Sequence, residues 1–520
     1  MKKQTTAQAD KGLPSGLRRF LYLTAALTGA AVMIIEILGA KMLAPFFGTS
    51  HFVWTAQIAV TLLALAAGYY VGGRLADRSP RPARLFAAIL IAGLYLCMIT
   101  LVIKPVAYWS LTFNLALGSL FASMILFFVP LALLAMTAPF LIRIMTSSVA
   151  GVGSNVGRLT AVGTMGSFVG TALIGYVLIP YLPNSYTMML TAGMLLVFSS
   201  LYFGIWGRKR GRRPTVIVSA LVGSSLIWLG VAQEGRLDLA DFIELHRRNS
   251  NFGLLQVIEH KSGQIRYLLN DYLLQNTYDP KEKLSVSTFT YMLYGLARAY
   301  TPQIGSALVI GLGIGVVPSQ IAAGGVRVDV VDFEDGRHFV NWASTRYDTI
   351  ILDAFLGDSS PSHLMSREAF VAMRRLLNPS GTLVINCFAE FNSRRDFFGS
   401  SLHKTLRSVF RSVRIHSSGS GNVYFVASDR ESLEVLQPPD FSKAHYAVQE
   451  QARLAFAGVL QGDSDRGIVL TDDYNPVEFY DAENREAFRR EGSFCPSRRI
   501  PSRQALFRRN DIVRAKRTVS

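Results

Sequence analysis

Seven stretches of about 20 mostly apolar residues decide what the first half of this chain can become: roughly 20–40, 52–73, 85–103, 118–142, 159–180, 186–206 and 214–232. Segments of that length match the hydrocarbon core of a bilayer as helices, because in lipid every backbone N–H and C=O must find its partner inside the segment. Residues 20–232 therefore read as a transmembrane helical domain behind a basic amino terminus, residues 1–19. Within it, Pro130 and Pro139 predict a kink or break in the fourth stretch, since proline removes a helix donor. Gly163, Gly166, Gly170 and Gly175 predict that the fifth packs backbone-close on another helix. Glu36, inside the first stretch, is a candidate functional carboxylate because its charge is costly there, with Lys41 as a nearby counter-ion.

The chain has 53 Lys and Arg against 36 Asp and Glu, a formal net charge of +17. Much of that excess flanks the apolar stretches or lies in the Arg-rich tail, residues 489–520, where anionic lipid explains it and nucleic acid is not expected. Lys2, Lys3, Lys11, Arg18 and Arg19 precede the first stretch, and Arg74, Arg78, Arg81 and Arg84 follow the second. Basic loops of this kind stay in the cytoplasm, which places the amino terminus there and the protein in a cell (inner) membrane as a multi-pass protein. Seven crossings would put the second half on the far side; a seventh stretch lying in the interface would keep it cytoplasmic. Both arrangements stay open, the second being favoured because a nucleotide-type ligand is supplied in the cytoplasm. Cys97, Cys387 and Cys495 are isolated thiols with neither metal-site nor disulfide spacing, so no metal is expected.

The second half is organised around Ala307 to Asp353. An apolar run, ALVIG, meets a glycine-rich turn, GLGIGVVP, and a second apolar run ends in acidic residues. That order is strand, turn, helix, strand. Gly311, Gly313 and Gly315 free the backbone to turn sharply and to approach a nucleoside closely. Asp332 or Glu334, about 20 residues on, is spaced to meet ribose hydroxyls. A third run, YDTIILDAF, places Asp353 at the carboxyl end of a parallel strand, where open sheets hold their ligands.

Around this unit, LLQVIEHKSGQIRYLLNDYLLQ reads as a hairpin turning at Ser262 and Gly263, and TYMLYGLARAY as a lead-in helix. SREAFVAMRRLL reads as a helix capped by Ser366; TLVINCF follows as a strand, LHKTLRSVF as a helix, and VRIHSS with NVYFVAS as an antiparallel pair. The expected fold is an α-helical transmembrane bundle of about seven spans, then an α/β doubly wound, Rossmann-like domain with a small N-terminal β-layer. Its segments are residues 1–19, 20–232, 233–300 (β-hairpin layer and lead-in helix), 301–488 (α/β domain) and 489–520, a basic tail expected to be disordered.

The hairpin, the glycine turn, the acidic strand end, Asp335 to Arg337 and YDTIILDAF together resemble the spermidine synthases, the polyamine aminopropyltransferases. LTDDYNPVE at 470–478 and EILGAKMLAPFFGTSHFVW at 36–54 resemble the membrane-fused branch of that family. The resemblance implies a methyltransferase/spermidine-synthase fold binding decarboxylated S-adenosylmethionine or S-adenosylmethionine as donor, and a polyamine or other small amine as acceptor. It puts the ribose-binding acid at Asp332, the adenine contact at Asp335 and the strand-end acid at Asp353. A homo-oligomer is left open.

The chain departs from the family at several points. Ile314 stands where the family's glycine turn carries an Asp, and Phe289, Thr290 and Tyr291 replace a Tyr-His-Glu step. Leu356 stands where the family's proton-accepting Asp would fall, leaving Asp358 as the nearest substitute. Only residues 334–346 separate Phe333 from Tyr347, enough for one crossover, so a β/α unit of the adenosine wall is expected to be missing. Asp472, Asp473 and Glu478 read either as an amine pocket or as a capped turn closing the sheet. Two functions follow. One is a membrane-anchored transferase moving an aminopropyl or methyl group from a sulfonium donor to an amine, with Asp353 and Asp358 catalytic and activity expected to be impaired by the shortened nucleoside site. The other is a non-enzymatic transporter or amine sensor, favoured by GGRLADR at 72–78, which resembles a loop of major facilitator transporters.

Overall fold

A computed structural model describes residues 13–48, 51–146, 152–207, 221–226, 228–230, 242–250, 253–270, 273–331, 336–355, 361–389, 391, 396–418, 422–462 and 467–477. The chain forms two compact units, Met1–Leu237 with Asn249–Asn251, and Asp238–Arg248 with Phe252–Ser520.

The first unit is helical: α1 (Ser15–Phe47), α2 (His51–Arg78), α3 (Pro82–Ser110), α4 (Leu115–Ala135), α5 (Thr137–Met145), α6 (Val152–Leu173) and α7 (Asn184–Ile205). With α5 continuing α4, and residues up to Tyr181 continuing α6, six helices among the described residues are long and apolar enough to cross a membrane. Of the seventh stretch the described part is a shorter apolar helix, Leu221–Gly230. The fourth span breaks at Met136, which separates α4 from α5 three residues before Pro139. Small residues let α1 and α6 touch backbone to backbone: a Cβ on Gly166 would lie 2.0 Å from the Ala26 carbonyl oxygen, and one on Gly170 would lie 2.6 Å from that of Ala30. Ser167 Oγ donates to Gly29 O across the same seam at 3.2 Å. Gly175 faces open space and takes no part. GGRLADR forms the last two turns of α2 rather than a loop, and its Asp77 pairs with Arg143 of α5 at 3.5 Å.

The second unit starts with a five-stranded antiparallel layer, β1 (Phe242–Ser250), β2 (Gly253–His260), β3 (Arg266–Asn270), β4 (Leu273–Asp279) and β5 (Leu284–Ser285), in that spatial order. The expected turn at Ser262 and Gly263 joins β2 to β3, with Gly263 at φ +66°. Then come α8 (Thr288–Tyr300), β6 (Ser306–Ile310), α9 (Val316–Ala322), β7 (Arg327–Val331), α10 (Gly336–Trp342), β8 (Tyr347–Leu352), α11 (Arg367–Arg375), β9 (Leu377–Phe388), α12 (Phe397–Arg407), β10 (Ser412–Ser417), β11 (Asn422–Ser428), α13 (Gln449–Ala457) and β12 (Val459–Leu460).

Seven of these strands form one sheet in the order β12-β10-β11-β9-β8-β6-β7. Pairing is parallel from β7 through β9 and antiparallel beyond. Alternate residues of each central strand bury opposite faces. Leu308 and Ile310 pack with Phe370, Phe398 and Leu402 on one side; Ala307 and Val309 pack with Leu296, Tyr300 and Ile321 on the other. Burial on both faces explains the near-continuous apolar runs. Ser366 caps α11 as expected, its Oγ accepting from Ala369 N at 3.2 Å. The residues Asn378 to Gly381 bulge out of β9, because the register runs Tyr347↔Leu377 and then Thr349↔Thr382.

β7 is an edge, and among the described residues the chain passes from it through α10 to β8 on the other side of β6, the single crossover for which residues 334–346 leave room.

Candidate active site

The carboxyl ends of β6, β7 and β8 are tied together by two backbone bonds. Gly311 N donates to Val331 O, and Asp353 N donates to Ile310 O, each at 2.9 Å. Gly311 has φ +103°, and a Cβ there would lie 2.1 Å from the Asp353 carbonyl oxygen, so only glycine fits. Gly313 and Gly315 also hold left-handed backbone, φ +54° and +75°. A Cβ on Gly313 would meet nothing within 4 Å, which leaves the outer side of the turn open to a ligand. Gly315 N-caps α9 and ends the turn.

Asp353 stands beside this turn, half-buried and surrounded by protein. Loss of solvation pushes its pKa up to about 6, and a hydrogen bond from Asn386 works against the rise. Asn386 Nδ2 donates to Asp353 Oδ1 at 2.8 Å, and Asn422 Nδ2 in turn donates to Asn386 Oδ1 at 2.8 Å. The three side chains form a chain of amides ending on one carboxylate. Tyr424, fully inside the sheet, has its hydroxyl pKa raised by burial first and by the Asp353 charge second.

Of the three glycines singled out in the sequence, Gly311 lies against Asp353, while Gly313 and Gly315 continue the turn toward α9. Asp332, Asp335 and Asp358 lie outside the described residues. Asn386 and Asn422 were missed, although an Asn in the middle of the apolar run LVINCF is a signal, since a buried amide needs partners. Tyr291 turns out to pin the β-layer: its hydroxyl donates to Ser285 O at 2.7 Å and accepts from His445 N at 3.3 Å. Asp472 is spent on the fold, its oxygens accepting from Arg337 at 2.6 Å and Ser366 Oγ at 2.5 Å. Among the described residues no three His, Cys, Asp or Glu side chains converge as a metal ion would require.

No family model matches the sequence. The polyamine aminopropyltransferase of Vibrio vulnificus (strain CMCP6) is 32% identical over 234 residues, a match that takes in 38% of this chain and 77% of that protein. The chain belongs to the polyamine aminopropyltransferase family. An N-terminal histidine N-methyltransferase of Emericella nidulans is 24% identical over 220 residues, covering 34% of this chain and 38% of that protein. Among solved structures, the spermidine synthase of Thermotoga maritima shares 17% identity, covering 41% of this chain and 84% of that one at a TM-score of 0.32.

Proposed function

We propose that this chain is a membrane-anchored transferase that moves an aminopropyl or methyl group from an S-adenosylmethionine-type sulfonium donor to an amine. The observation that carries the reading is Asp353: an acid with a pKa near 6, seated at the strand ends against a glycine turn, in a chain of the aminopropyltransferase family. In the reaction the amine nitrogen attacks the carbon bonded to sulfur. The C–S bond breaks, its electron pair neutralises the sulfonium, and a thioether leaves. The nitrogen's surplus proton goes to a carboxylate, and an acid titrating near 6 is ionised and still basic enough at neutral pH to take it. Asp353 fills that role in this reading, with Asp358 as the second carboxylate of the acceptor side. Gly311, Gly313 and Gly315 cradle the donor, whose nucleoside Asp332 and Asp335 would hold. The membrane is the inner membrane, with six crossings and a cytoplasmic amino terminus, which leaves the transferase in the compartment where the donor is made.

The test is turnover. Full-length protein in detergent, given labelled decarboxylated S-adenosylmethionine or S-adenosylmethionine with putrescine, is expected to transfer label to the amine. Asp353→Asn is expected to slow that transfer by about 100-fold. Absence of product with either donor, or product undiminished in Asp353→Asn, overturns the reading.

A further inference from the structure

A cavity of about 550 Å³ lies between the β-layer and the start of α9. Its volume suits a drug-sized organic ligand. Asp353 is not part of its wall; the glycine turn contributes Ile314 and Gly315 to it. The ionisable groups lining it are Arg266, Lys283 and the tyrosines 267 and 278, so it has two cations and no carboxylate.

The strand register explains how the donors gather. Arg266 on β3 lies opposite Tyr278 on β4, and Leu268 lies opposite Asn276, so Arg266 and Asn276 are diagonal neighbours on one face of the layer. Arg266 Nε donates to Glu259 across the β2–β3 pair, which leaves the outer fork of the guanidinium and cancels one positive charge. Asn276 is 4% exposed. Its Oδ1 accepts from Ser285 Oγ at 3.2 Å and Ser287 Oγ at 3.1 Å, which leaves Nδ2 as the donor end beside the cavity. Lys283 has φ +56°, left-handed backbone where glycine would sit without strain. Keeping a lysine there keeps an ammonium at the cavity wall.

We infer that this cavity is a binding site for a monocarboxylate with an apolar or aromatic body. Arg266, Lys283 and Glu259 sum to one positive charge, which matches one carboxylate rather than a diamine or a phosphate dianion. The carboxylate accepts from the guanidinium fork, the ammonium and Asn276 Nδ2, while Leu268, Leu284 and Val316 enclose the body. An amine finds no counter-ion in this wall. The cavity shares Gly315 with the proposed donor cradle, its preference for a carboxylate sets it apart from the amine acceptor, and its test is a binding measurement independent of turnover.

The full chain is reconstituted in lipid nanodiscs, and equilibrium dialysis measures labelled 2-naphthoate and decanoate, with 2-naphthamide and 2-naphthylmethylamine as neutral and cationic controls and empty discs subtracted. Saturable binding of one carboxylate per chain is expected, about tenfold or more tighter than either control. Lys283→Gly, which relieves the backbone and so leaves folding secure, is expected to weaken it by about fivefold or more. Ala323→Phe, on the cavity wall, is expected to abolish it. The inference is overturned if neither carboxylate binds above empty discs, if the amine binds as tightly as the carboxylate, or if Lys283→Gly binds like the parent.

Discussion

Asp353 carries a cost that its chemistry explains. The folded domain holds its proton more tightly than the unfolded chain does, so the stability from this group is full below about pH 4 and is lost as pH rises through about 6. At pH 7 to 8 the ionised side chain costs about 3 kcal/mol, roughly two pH units at 1.36 kcal/mol each. His416 does the reverse. Its ring accepts from the Tyr300 hydroxyl at 2.8 Å and donates from Nδ1 to Phe456 O at 2.7 Å, an arrangement satisfied by the neutral tautomer. Burial pushes its pKa down to about 4, so its contribution is present above pH 6.5 and is lost as pH falls toward 4. The two groups offset each other over the same window. Thermal unfolding of the full chain in detergent is therefore expected to show Asp353→Asn more stable than the parent at pH 8 and level with it at pH 4, with a steeper loss toward acid. His416→Gln is expected to flatten the acid side while lowering stability at pH 7 by about 1–3 kcal/mol, the cost of leaving buried partners unpaired. Of this site the sequence displayed Asp353 and the glycines because strand ends and positive-φ turns leave local marks. The Asn422–Asn386–Asp353 chain spans three strands, and only the sheet order reveals it.

Among the elements, α1 and α6 depend on the absence of side chains at their crossing. Gly166→Leu places a branched side chain where a Cβ alone would meet Ala26 O at 2.0 Å, and it is expected to destabilise the helical unit by about 1–3 kcal/mol or more, read as a lower unfolding temperature in detergent. Gly175→Leu, facing open space, is expected to leave that temperature unchanged. Most elements were legible because their periods are clean: alternation in the β-layer, helical spacing in α8 and α11, and unbroken apolar runs in strands buried on both faces. The cavity against α9 was not legible. It arises from the register of β3 on β4 and the packing of a helix 40 residues further along, and no local pattern encodes that.

For the whole molecule, the count of crossings decides which compartment the transferase unit occupies. Six long apolar helices among the described residues, with basic residues before the first and after the second, predict both termini in the cytoplasm. A phosphatase and a fluorescent-protein reporter fused after Ser520 check this: fluorescence without phosphatase activity is expected, and the opposite pattern refutes a cytoplasmic transferase.

The short crossover between β7 and β8 leaves β7 with a single neighbour, so its outer edge is unpaired among the described residues. Such a rim offers a row of backbone N–H and C=O groups to whatever comes to lie beside it.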